Sequence, residues 1–198
     1  MTQRRPDLPR FLDLARQCIS ARATGDTARA AERVFGRLSG TAGEMREPER
    51  KQLAVCDAYL ESAIAGAVKR GGLMAELGRS FADLAPLMAW DRRKTSTSAN
   101  QPFHDGHANA TIAGPGGFEE RGDVWVGVSL MAPGIVYPVH SHPPEEIYLA
   151  MSDGEWWNSE MDWMEPGPGG LVYNPPGILH AMRSGGTPFL ALWLLPVD

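Results

Sequence analysis

From Val124 onward, no apolar run in this chain lasts long enough to form a helix. The segments VWVGVSLMA, GIVYPVHSH, EEIYLAMS, GEWWNS, GLVYNPP, ILHAMRS and PFLALWLLP are each cut short by glycine, proline or Asp-Gly. Short apolar and aromatic runs at this spacing specify strands, and a succession of them forms a sandwich or a small antiparallel barrel. The first 92 residues read differently. ERKQLAVCDAYLESAIAGAVKRGG sets Leu53, Cys56, Leu60, Ala63, Ile64 and Val68 at three- and four-residue steps, with Lys69 and Arg70 in the last turn and Gly71-Gly72 as the stop. LPRFLDLARQCISARA and DTARAAERVFGRL are two further amphipathic helices, the second with Asp26 or Thr27 as its expected N-cap. LMAELGRSFADLAPLMAW is a fourth, broken near Pro86. The expected class is α+β: a helical N-terminal region over 1–94, then an antiparallel, jelly-roll-like β-barrel over 95–198. The polar, Gly/Pro-punctuated stretch RRKTSTSANQPFHDGHANATIAGPGG between them reads as a linker or irregular loop.

Charge divides at the same boundary. Residues 1–95 carry 17 Lys and Arg against 12 Asp and Glu, whereas 96–198 carry 2 against 12, which together give the net charge of −5. The second half has no lysine, and its only arginines are Arg121 and Arg183. Nucleic acid needs clustered cations, and so does a phosphorylated substrate, so neither is expected as a partner. A neutral or cationic small molecule suits an acidic barrel better. The two cysteines, Cys18 and Cys56, do not make a disulfide framework, and a cytoplasmic location is the simpler expectation. Arg4-Arg5 is not followed by the uninterrupted apolar stretch of an export signal, and no run of about 18 apolar residues exists to span a membrane.

The chemistry concentrates in VYPVHSHPPEEIYLAM. Alternate residues of a strand share a face, so His140 and His142 point the same way. If the chain folds back at Pro143-Pro144, Glu146 and Tyr148 share a face on the returning strand, and Glu145 points to solvent. His180 follows YNPPGIL on a later strand. Three of the five histidines fall in these two segments, and two or three imidazoles with one carboxylate suit a divalent transition metal. Tyr137 has the wrong parity to join His140 unless Pro138 bends or bulges the strand. Asp153-Gly154 is expected to form a hairpin turn. His104 and His107, in a Gly/Asn-rich stretch, read as surface residues.

GIVYPVHSHPPEE, with Gly134, His140, His142 and Glu146, resembles the first cupin motif, and GGLVYNPPGILH, with Gly169, Pro175, Gly177 and His180, resembles the second. Two positions depart from the pattern: the glycine that closes the first motif arrives one residue late, as Gly154, and the asparagine that usually ends the second is Ser184. Within the cupins, the helical N-terminal region followed by YPVHSHPPEEIYLAMSDGEWW resembles the cupin-type dimethylsulfoniopropionate (DMSP) lyases of marine bacteria, the DddQ type in particular. That resemblance implies one divalent metal ion, Zn, Fe or Mn, held by His142, Glu146 and His180. His140 is a ligand in the general cupin pattern, and its role in this subfamily is open. The resemblance further implies Tyr148 as the catalytic base beside the metal and Tyr137 as its assistant.

DMSP cleavage is a β-elimination to dimethyl sulfide and acrylate. A base takes a weakly acidic proton beside the carboxylate, and a cation stabilises the charge that develops. A tyrosine, with an ordinary pKa of about 10, serves as that base only with positive charge nearby. The sulfonium is cationic, so Trp156, Trp193 and Tyr173 are the expected aromatic faces for it. Two other readings stand beside the lyase: another metal-dependent cupin enzyme, such as an Fe dioxygenase acting on a thiol or small aromatic, and a non-catalytic small-molecule-binding cupin. Helices of this kind pack on their own barrel or on a neighbour's, so a homodimer is among the expected arrangements.

Overall fold

The computed structural model describes residues 5–95 and 97–197; Arg4, half of the arginine pair weighed as an export signal, lies outside them. Four helices come from the N-terminal region: α1 (Asp7–Ser20), α2 (Gly25–Ser39), α3 (Ala54–Arg70) and α4 (Gly72–Leu84). The fourth gives way to a 3-10 turn at Ala85–Leu87, where Pro86 interrupts it. Thr24, in extended conformation, precedes the first residue of α2, so that helix starts earlier than Asp26 or Thr27 suggested, and Asp26 sits in its first turn. No helix among the described residues is long and apolar enough to cross a membrane.

The linker reading of 92–117 does not hold. That stretch contains a short helix, α5 (Gln101–Gly106), and a full strand. The strands are β1 (Glu44–Met45), β2 (His107–Ala113), β3 (Glu119–Glu120), β4 (Val124–Met131), β5 (Val136–His140), β6 (Glu146–Ala150), β7 (Glu155–Asn158), β8 (Met161–Met164), β9 (Leu171–Asn174), β10 (His180–Arg183) and β11 (Phe189–Pro196). They form a seven-stranded sheet in the order β1-β3-β2-β4-β11-β6-β9 and a four-stranded sheet in the order β5-β10-β7-β8. Among these strands the pairing is antiparallel except for one parallel contact, Ala113 with Glu119. This is the expected architecture of helices followed by an antiparallel two-sheet barrel, with two local corrections. Pro143-Pro144 does not fold a hairpin, because β5 and β6 belong to different sheets; the diproline arches between them. Asp153-Gly154 likewise carries the chain from β6 in one sheet to β7 in the other. A Cβ at Gly154 would collide with the Phe189 ring, so this crossing needs glycine for close approach.

The large sheet is buried on both faces. On β11, Leu190, Leu192 and Leu194 join a core with Phe11, Val34, Leu77 and Phe81 of the helices. The alternate residues Phe189 and Ala191 face a second core between the sheets, with Trp193 packed against it. Strand β6 divides the same way: Ile147 and Leu149 face the helices, whereas Tyr148 and Ala150 face the barrel interior. Double burial explains why these strands read as nearly continuous apolar runs.

Candidate active site

Strand β5 carries the first two site residues through an irregular register. His140 lies opposite His180, but Tyr137 lies opposite Met182, so three steps on β5 match two on β10. The extra residue is the bulge expected near Pro138. It leaves Pro138 and Val139 exposed and brings Tyr137 inside, where it is buried. Ser184, at the position of the usual cupin asparagine, ties the preceding turn: its Oγ accepts from Ile135 N at 2.8 Å and donates to Ala132 O at 2.6 Å.

His140, His142 and His180 each offer a ring nitrogen, and these atoms lie within 4.8 Å of one another. The backbone decides which nitrogen is free. Nδ1 donates to Pro138 O in His140 (2.9 Å), to Pro144 O in His142 (2.9 Å) and to Ile178 O in His180 (3.0 Å). A carbonyl on Nδ1 places the proton there and leaves an Nε2 lone pair, which is the arrangement of a metal-ligating imidazole. Nε2 of His180 is buried with no hydrogen-bond partner. Glu146 Oε2 lies 3.2 Å from Nε2 of His142 and 3.3 Å from Nε2 of His180. The residues therefore fit a divalent cation: three nitrogen donors, one of them orphaned, and a buried carboxylate converge.

Burial alone would raise the Glu146 carboxyl, but the imidazoles of His142 and His180 hold it down at about 2. Burial pushes His140 down to about 3, helped by His180 and Arg93. Burial also opposes protonation of His142, but the Glu146 carboxylate outweighs it and raises this imidazole. Burial and the same carboxylate push the Tyr148 phenol well above its ordinary range. Tyr137 is raised by burial, with Arg93 and Asn109 pulling the other way; Asn109 Nδ2 donates to its hydroxyl at 3.1 Å. Without added positive charge, both phenols are neutral.

All of these groups but His180 line one cavity of about 260 Å³. Tyr137, His140, His142, Glu146 and Tyr148 share it with Trp193, whose backbone lies opposite Tyr148 on the neighbouring strand. The Trp193 ring fits because Gly127, its partner on β4, has no side chain; a Cβ there would collide with it. Two expected aromatic faces lie elsewhere. Trp156 is buried behind Tyr148, with ring centroids 6.1 Å apart, and does not line the cavity. Tyr173 points out of the barrel because Val172 and Asn174 take the inward positions on β9. Its hydroxyl donates to Glu145 at 2.7 Å, and it lines a separate cavity of about 540 Å³ that holds none of the histidines. Glu145 is correspondingly not solvated but buried, paired with Arg33 as well as Tyr173.

Five wall residues escaped the sequence: Arg93, Asn109, Trp125, Ser129 and Leu195. Trp125 was legible in principle, since it alternates with Val124 and Val126 in VWV. His107, expected at the surface, is fully buried on β2. Its Nδ1 donates to Phe103 O, and its Nε2 accepts from Arg93 N at 2.9 Å.

The model of one protein family, described as dimethylsulfoniopropionate lyase, matches residues 26–191. A curated relative, dimethylsulfoniopropionate lyase DddQ of Ruegeria pomeroyi, is 30% identical over 116 residues, 58% of this chain and 58% of that protein. A second, the putative dimethylsulfoniopropionate lyase DddL of Cereibacter sphaeroides, is 31% identical over 117 residues, 58% of this chain and 47% of that one. The matched part thus spans about half the length of these curated relatives. The crystal structure of the Ruegeria pomeroyi DddQ superposes with a TM-score of 0.70 at 24% identity, covering 96% of this chain and 92% of that one, a likeness of fold. With the family match running from α2 into β11 and the histidine cluster inside it, the chain belongs to the dimethylsulfoniopropionate lyase family.

Proposed function

We propose that this protein is a metal-dependent carbon–sulfur lyase that cleaves DMSP to dimethyl sulfide and acrylate. One observation carries the reading: three imidazoles with ring nitrogens within 4.8 Å of one another, a buried carboxylate and two buried tyrosines are gathered together, and all but His180 line a single small cavity. His140, His142, Glu146 and His180 would hold the ion, which is Zn, Fe or Mn. When bound, it supplies positive charge to the substrate carboxylate and to the developing negative charge beside it.

The residues of the chain supply the rest. The Tyr148 oxygen, once deprotonated, takes the proton from the carbon next to the carboxylate. That electron pair becomes the carbon–carbon double bond, and the carbon–sulfur bond breaks to release neutral dimethyl sulfide. Tyr148 then loses its proton to solvent. Tyr137, held by Asn109, orients the reacting end. The indoles of Trp193 and Trp125 offer faces to the sulfonium. Buried free thiols at Cys18 and Cys56, each pushed up to about 11 by burial, suit a reducing compartment, and we place the enzyme in the cytoplasm.

Headspace gas chromatography tests the reading. Protein reconstituted separately with Zn²⁺, Fe²⁺ and Mn²⁺ should release dimethyl sulfide and acrylate from DMSP in equal amounts and should stop when chelated. Absence of both products with every ion would reject it.

A further inference from the structure

The barrel has few cations, and its own two are engaged elsewhere. Arg121 is buried between Glu119 and Asp123. Arg183 pairs with Glu155 beneath the Trp163 ring. The cavity nevertheless has a cation in its wall: Arg93, from the segment leading out of the helices, is the one lysine or arginine lining it among the described residues. Its guanidinium carbon stands 5.4 Å from the Tyr137 ring centroid. The neighbouring Arg92 is already occupied, donating to His104 O at 2.6 Å and lying 3.5 Å from Asp105. Arg93 has no carboxylate partner among the described residues.

Its main chain, by contrast, is fixed, because Arg93 N donates to the buried His107 imidazole. Arg93 and His140 also line a smaller adjoining cavity of about 120 Å³, with Thr95, Thr97 and Asn100. The guanidinium therefore stands between two adjoining cavities, anchored by its backbone, with its head against Tyr137 and, among the described residues, no carboxylate to pair with. A guanidinium that touches only a neutral phenol keeps donors to spare, and its planar fork matches a carboxylate.

We propose that Arg93 is the anchor for the substrate carboxylate and makes the cavity selective for small acids that carry a cationic group. This rests on the lyase reading of the same site. The test uses Arg93→Gln and Arg93→Lys in metal-loaded protein. Both variants keep the backbone N–H that meets His107, so unchanged melting temperatures are expected. KM for DMSP should rise at least about tenfold in Arg93→Gln, as expected for losing one charge-assisted hydrogen-bonded contact, and by less in Arg93→Lys, with kcat changing less than KM. Independently of turnover, propionate should quench the fluorescence of the cavity tryptophans in the wild type. Quenching should need at least about tenfold more propionate in Arg93→Gln. Trimethylsulfonium, which has no carboxylate, should bind both equally. An unchanged propionate affinity in Arg93→Gln would overturn the proposal. Loss of propionate affinity in a protein that releases no dimethyl sulfide would uphold the anchor while rejecting the lyase.

Discussion

Acidification should weaken this protein through His107, and the size of the effect follows from the hydrogen bonds of the ring. Nδ1 donates to a carbonyl and Nε2 accepts an amide N–H, so the ring is held as one neutral tautomer. An imidazolium has no lone pair to accept the Arg93 N–H. Burial of the whole residue, with Arg92, His104 and Arg93 nearby, pushes His107 from 6.5 down to about 4. The unfolded chain therefore binds a proton across this window that the folded chain refuses. Stability from this group is complete above pH 6.5 and drains away as pH falls toward 4. The full window is worth about 3 kcal/mol, of which about 2 kcal/mol is already lost at pH 5. Urea unfolding of wild type and His107→Gln at pH 7.5 and pH 5, both in chelator, isolates the term. Wild type should lose about 2 kcal/mol more than the variant between the two pH values. Equal losses would refute the argument, because they would mean that the folded protein admits the proton.

Replacing His142, Glu146 or His180 with alanine should remove the metal, read by elemental analysis, together with turnover; a variant that keeps stoichiometric metal is not missing a ligand. Tyr148→Phe should abolish dimethyl sulfide release with metal retained, whereas Tyr173→Phe, whose hydroxyl serves Glu145 outside the cavity, should stay within about twofold of wild type. The reverse order would invert the assignment of the two tyrosines. Gly127→Ala should cost about 1–3 kcal/mol in urea, displace the Trp193 ring and raise KM, with the displacement visible as a shift in tryptophan fluorescence.

The convergence of His140, His142, Glu146 and His180 was legible because two-residue spacing fixes a shared face whichever sheet a strand joins. The bulge at Pro138 was legible for the same reason, since Tyr137 could enter in no other way. Turn chemistry was less informative. Pro143-Pro144 and Asp153-Gly154 both reverse the chain, but nothing local tells whether the next strand pairs with the last or crosses to the opposite sheet. Strand β2 was hidden by its composition: HANATIA has only Ile112 as a large apolar residue, and its alanines are selected for close packing under the helices. Arg93 was missed by counting charge on either side of a boundary, when the residue sits on the N-terminal side and reaches across it. Tyr173 failed on parity, because no motif residue on β9 fixed which face was inward.

The double-faced sheet makes the strands that carry the cavity poor candidates for transplantation. On β6 and β11 every cavity residue has a helix-facing neighbour, so Tyr148 is flanked by Ile147 and Leu149, and Trp193 by Leu192 and Leu194. A barrel cut away from residues 1–94 would present that row of leucines and isoleucine to water, and one grafted onto foreign helices would have to fit their ridges. Swapping this cavity between relatives of this chain is therefore a matter of exchanging whole cores, and drift in the helices will be felt at the histidine cluster.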